Sequence, residues 1–170
     1  MSVHGAVDLA AVVHDYKSLG PIELLDALAE ERNETIEVIE VPRFPGMPSA
    51  MWLREARDDG SHHNVIAVAE GLDGLWAQAL FHEGGHIKRG DDTRRQPASA
   101  DQRETLGIVT KHLGSEGQLE LIGCRKHSAE TAESAEMELM CELFALELGL
   151  AMPCPPARDY NRVVRSLTPR

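Results

Sequence analysis

No apolar run in the 170 residues approaches the length of a membrane-spanning helix. Met1 to Leu9 lack a basic region followed by an apolar stretch, so no leader is read there and the expected compartment is cytoplasmic. Basic side chains are scarce. Seventeen Lys and Arg stand against 28 Asp and Glu, a formal charge of -11, which argues against a surface built to hold a nucleic-acid backbone. Cysteine is scarce too. Cys124, Cys141 and Cys154 are odd in number, widely spaced and in no C-x-x-C pair, which points to free thiols rather than a disulfide framework. What is there is 42% hydrophobic residues, enough for one folded domain over residues 1–170 with a substantial core.

An N-terminal helical portion occupies about residues 1–34. Ala6 to Tyr16 reads as a first helix. Pro21 opens a second, with Ile22, Leu24, Leu25, Leu28 and Ala29 as its buried stripe. These two helices read as scaffold, because neither a third helix nor a basic recognition face follows to make a DNA reader. Thr35 to Val41 interleaves β-branched and acidic residues and reads as a strand with one wet face. Ala50 to Arg54 and His63 to Ala69 read as two more. His62 and His63, at a strand mouth, are expected to face solvent rather than a metal. The expected fold class is α+β, a small three-stranded sheet, mixed or antiparallel, packed against a mostly helical core.

Residues 88–100 read as an exposed, mobile loop at the rim of a cleft. Asp101, with Glu104 three residues on, has the capping-box spacing for a helix running to about His112. Leu119 to Ile122 is a short apolar piece with no assigned state. Ser128 to Leu150 reads as one long helix with Leu139, Leu143, Leu146 and Leu150 along its buried side, and Phe144, Ala145 and Leu148 widening it. Pro153, Pro155 and Pro156 end it, and a last short helix is expected at about residues 158–165.

One helix stands out. His82-Glu83-Gly84-Gly85-His86 is an H-E-x-x-H, and residues four apart share a helix face, so both imidazoles can reach one metal ion. Glu83 lies round the helix from them, placed as a general base beside the metal rather than as a ligand. This is the zinc metallopeptidase pattern. The apolar residues Leu72, Leu75, Trp76, Ala79, Leu80 and Phe81 mark the helix as largely buried, where two histidines and a glutamate need partners. Two adjacent glycines inside a helix cost about 1 kcal/mol each relative to alanine. Close approach of another backbone or a substrate would account for that cost.

A catalytic zinc ion takes three protein ligands, so a third is needed. Asp92 stands ten residues past His82, at the metzincin spacing, but Arg89 occupies the position where that pattern has glycine. Cys124 and His127 form a C-x-x-H pair. Glu133, Glu136, Glu138 and Glu142 lie on the long helix. Glu138 and Glu142 share a face with Cys141 and Ala145 that is otherwise small and apolar, so a close approach to the double glycine would place Glu138 on the metal. Glu142 would then accept the remote ring N–H of a ligand histidine. Glu133 and Glu136 are expected to face water. An ordinary solvent-facing glutamate remains the alternative for Glu138. His112, His127 and Tyr160 are candidate donors to an oxyanion.

In order and content the two motifs resemble the ImmA/IrrE-like family of bacterial and phage zinc metallopeptidases. His82 to His86 stands at the first, with Gly84 where leucine is usual. Glu138 to Leu148 stands at the second. Phe144, Ala145, Glu147 and Leu148 match there, while Cys141 replaces a small alanine and Glu142 replaces Asn or Asp. Met152-Pro153 corresponds to a closing Met-Pro, and the resemblance covers about residues 20–153. It implies a zincin-like core, one catalytic Zn²⁺ and Glu138 as third ligand. It also implies endopeptidase activity on a cytoplasmic repressor or antitoxin-like regulator that controls phage, mobile-element or stress-response genes. The DNA-binding regulator would be a separate polypeptide. No direct nucleic-acid or membrane partner is expected, and the oligomeric state is not indicated. The alternative is a zinc-containing regulatory protein that sequesters its partner without cutting it.

Overall fold

Asp8 accepts the Ala10 N–H at 3.0 Å and caps a short helix α1 (Leu9–Val12), which tightens directly into a 3₁₀ turn over Val13–Tyr16. The single helix expected there is thus two pieces. The computed structural model describes residues 8–57, 60–91, 100–113, 119–124 and 132–152. Helix α2 (Pro21–Arg32) starts on proline, with the Gly20 N–H donating to Glu23 at 2.6 Å, and buries Leu24, Leu25 and Leu28. Asn33, left-handed at φ 51, turns the chain out of α2 into the first strand.

Four strands form one mixed sheet: β1 (Thr35–Val41), β2 (Ala50–Ala56), β3 (His62–Ala69) and β4 (Leu119–Cys124). Their order is β1-β3-β2-β4, with β1 parallel to β3 and β2 antiparallel to both of its neighbours. The three expected strands are its contiguous part. The fourth is the unassigned apolar piece, which pairs with β2 across an irregularity at Trp52/Leu53.

Both faces of the sheet are covered, which corrects the single wet face read for β1. Ile36 and Val38 pack toward the helices with Trp52, Ile66 and Val68. Ile39 and Val41 turn the other way, to Met51, Leu53, Val65 and Val109 of helix α4 (Ala100–Leu113). Central β3 is accordingly buried from Asn64 to Ala69, and its Val65 to Ala69 run is continuously apolar. Asp101 lies inside α4 rather than ahead of it.

The long helix α5 (Ala132–Ala151) buries the residues expected to widen its apolar side, and not the expected leucine stripe. Cys141, Phe144, Ala145 and Leu148 are buried, whereas Leu139, Leu143, Leu146 and Leu150 are exposed, Leu150 at 78%. A helix apolar on most of its surface offers two faces to a core. Here the small residues Cys141 and Ala145 permit the closer approach and win.

The sheet's polar interior ties it to the helix that carries the motif. Asn64 accepts from Trp52 Nε1 (2.9 Å) and Arg54 Nε (3.1 Å) and donates to Glu34 Oε2 (2.9 Å). Glu34 also takes Arg32 Nε at 3.0 Å, and Arg32 Nη1 donates to the Ile87 carbonyl at 3.1 Å. Burial alone would push the Glu34 carboxyl up, but Arg32, Asn64 and Arg54 outweigh it and hold it below its usual value. His63 sits between Glu37 (3.2 Å) and Glu55 (3.6 Å), and His62 lies 3.9 Å from Glu34. Both are half-buried, and neither joins a metal-capable group among the described residues. Cys141 is a free, buried thiol.

Candidate metal centre

Helix α3 (Trp76–Arg89) follows a 3₁₀ turn at Asp73–Leu75 and is buried without interruption from Ala79 to Ile87. Its neighbours come in on two sides, and each meets a glycine. A Cβ on Gly84 would lie 2.9 Å from Leu24 Cδ2 of α2; one on Gly85 would lie 3.3 Å from Cα, Cβ and Sγ of Cys141 on α5. Absence of both side chains is what lets α2 and α5 pack this closely.

Close packing of α5 brings three ligand-type side chains together. His82 Nε2 and His86 Nε2 are 3.1 Å apart, Glu138 Oε2 is 3.3 Å from the first and Glu138 Oε1 is 3.5 Å from the second. A tetrahedral zinc ion with ligands at about 2.0–2.1 Å has ligand–ligand edges of about 3.3–3.4 Å, so the spacing fits that ion. The donor set fits too. Two ring nitrogens and a carboxylate converge on one point, an arrangement that favours a cation between them. His82, His86 and Glu138 form a group able to hold a metal ion.

The electrostatics agree with that use. Burial by itself raises the Glu138 carboxyl, but its hydrogen bonds and attraction to His82 and His86 hold it at about 2. It therefore stays ionised at any physiological pH. Burial pulls the His86 imidazole down, yet Asp91, Cys141 and Glu138 together lift it well above its usual value. Glu83, which follows His82 on the helix, is completely buried.

No family model, curated protein or solved structure matches the chain. The arrangement is that of a zincin-type H-E-x-x-H motif completed by a downstream glutamate, consistent with a single zinc site.

Glu142 Oε1 lies 3.6 Å from His82 Nδ1, an ion-pair distance rather than a hydrogen bond. Glu136 is exposed; Glu133 lies in α5 and His112 in α4. Asp92, His127 and Tyr160 fall outside the described residues, as do residues 92–99 of the expected rim loop and the last expected helix. Cys124 ends β4.

Two neighbours of the site were not legible as such. Asp91 Oδ2 lies 2.9 Å from His86 Nδ1, and Cys141 Sγ lies 3.5 Å from the same nitrogen. Zincin spacings for a direct ligand select Asp92 and skip Asp91, one residue earlier. The available signal was a carboxylate directly after Gly90, the glycine that ends the helix. The sequence places Cys141 on the face of α5 that meets α3, where its pattern marks it only as a small residue. Its thiol is pushed up by burial, its contact with His86 offsetting only part of that.

Proposed function

We propose that the chain is a zinc-dependent endopeptidase, with His82, His86 and Glu138 holding the metal and Glu83 as general base. The observation that carries this reading is the convergence of three side chains, His82 Nε2 and His86 Nε2 being 3.1 Å apart and facing different oxygens of Glu138 at 3.3 and 3.5 Å, with Glu83 buried and next to His82 in sequence. Zinc bound there supplies Lewis acidity, polarising the scissile carbonyl and making water more acidic. Glu138, ionised, contributes the negative charge that a dication needs from its ligands. Glu83 takes a proton from the attacking water and hands it to the departing amine. Removing a positioned base of this kind costs about 10²–10⁴-fold in rate.

The resemblance of the two motifs to the ImmA/IrrE-like family supports a finer reading: the substrate is a cytoplasmic repressor or antitoxin-like regulator on a separate chain. Among the described residues no helix is long and apolar enough to cross a membrane. One observation favours the second reading, sequestration without cleavage. His82, Glu83 and His86 are at most 2% exposed, so a partner meets mainly Glu138 and the surface around it.

Glu83→Gln separates the two readings. With Zn²⁺-loaded protein and β-casein or a quenched peptide library as substrate, the variant should keep its zinc stoichiometry and lose turnover at least 10²-fold. Undiminished cleavage at full zinc occupancy refutes the base. Wild-type protein that binds zinc and cuts nothing, including regulators encoded beside it, supports sequestration.

A further inference from the structure

We infer that Asp91 is the positioning residue that sets the ring tautomer and orientation of His86. The local chain is built for it. Gly90 is left-handed at φ 73, its N–H donating to the His86 and Ile87 carbonyls, so α3 stops at Arg89, two residues before Asp91. A non-glycine residue resists that conformation, and without it the chain would continue outward along the helix axis. Instead Asp91 turns back and is only 6% exposed, whereas Lys88 to Gly90 before it are half-buried.

Each of its oxygens has a distinct contact. Oδ2 lies 2.9 Å from His86 Nδ1, and Oδ1 accepts from Arg89 Nε at 3.4 Å. A neutral imidazole carries one N–H. A buried carboxylate at Nδ1 fixes that proton there and leaves Nε2 as a bare lone pair, aimed at His82 Nε2 and Glu138 Oε1. Cys141 Sγ also approaches Nδ1, at 3.5 Å, but a thiol is a poor acceptor and does not displace the carboxylate. The two histidines of the motif are therefore unequal. Among the described residues His82 Nδ1 has no hydrogen bond, and Glu142 lies 3.6 Å from it on a half-buried side chain. His86 is the ring held in place; His82 adjusts to it.

This inference rests on the zinc reading for its purpose, but not for its test. Two-bond ¹H–¹⁵N spectra of the metal-free protein, recorded through a pH series up to the point where the ring is neutral, report which ring nitrogen of His86 keeps its proton. Chelator competition with Zn²⁺ reports affinity separately. Wild type should show the Nδ1–H form. Asp91→Asn, which keeps the shape and an acceptor oxygen, should retain most of that form. Asp91→Ala should lose it to a mixture and bind zinc about 10–100-fold more weakly. An Nε2–H tautomer in the wild type, or equal zinc affinity in all three proteins, overturns the assignment. Should Asp91→Ala not fold, the wild-type tautomer and the affinity of Asp91→Asn decide. If wild type binds no zinc, the metal reading fails while the tautomer still tests Asp91.

Discussion

Gly85 gives the sharpest test of how the centre is assembled. In a helix interior, Gly→Ala normally stabilises by about 1 kcal/mol. At Gly85 the new Cβ would stand 3.3 Å from three atoms of Cys141, one of them the α5 backbone, where ordinary contact begins at 3.4 Å. A backbone atom cannot swing aside, so α5 must move outward by a few tenths of an ångström. Overpacking of this kind costs about 1–3 kcal/mol, leaving a net loss of about 0–2 kcal/mol. Gly107 is the internal control: it lies within α4 with nothing inside 4 Å of its would-be Cβ. Gly107→Ala should therefore gain the full helix-propensity increment of about 1 kcal/mol. The displacement also carries Glu138 away from His82, stretching the 3.3 Å edge. Zinc affinity should fall by about tenfold, the equivalent of about 1.4 kcal/mol. Urea unfolding and chelator competition on both variants make the comparison. If Gly85→Ala stabilises as much as Gly107→Ala and zinc affinity is unchanged, the close-approach argument is wrong.

Two other outcomes follow from the same geometry. Linkage makes zinc a stabiliser of the folded chain by about 4 kcal/mol at a free concentration a thousand times its Kd. A melting curve should shift upward accordingly in wild type and hardly at all in Glu138→Ala; identical shifts in both would remove Glu138 from the ligand set. Glu34→Gln should destabilise by about 1–2 kcal/mol near neutral pH, after allowance for the solvent reaching its edge. Because the folded carboxyl is lowered, its stabilisation is complete above the ordinary value of 4.5 and is lost as pH falls through the lowered one. The gap between variant and wild type should therefore close in acid, and a gap as wide at pH 3 as at pH 7 contradicts the network's role.

Local pattern carried much of this architecture. The interleaving in Thr35 to Val41, the apolar run from Val65 and the buried flanks of the H-E-x-x-H helix are properties of short windows, and those elements stand where the windows place them. The small face of Cys141 and Ala145 pointed to the side of α5 that meets Gly85, bringing Glu138 along. What was not legible depends on distant partners. β4 is defined by its pairing with β2, and the second covered face of β1 by Val109 of α4. The leucines of α5 fit a buried stripe equally well by period; close packing at the glycines selected the other side. Asp91 reaches His86 only through a left-handed turn, which spacing rules for straight helices do not describe.

The contact between Gly84 and Leu24 bears on how such a chain can change over generations. A side chain at residue 84 meets Leu24 Cδ2 at 2.9 Å and Leu28 Cδ1 at 3.6 Å, both in the buried stripe of α2. Any side chain at residue 84 therefore requires the Leu24 methyl to shift, so the two positions are coupled in packing. A substitution at either position changes the room left at the other, which ties the scaffold helix to the metal-binding helix.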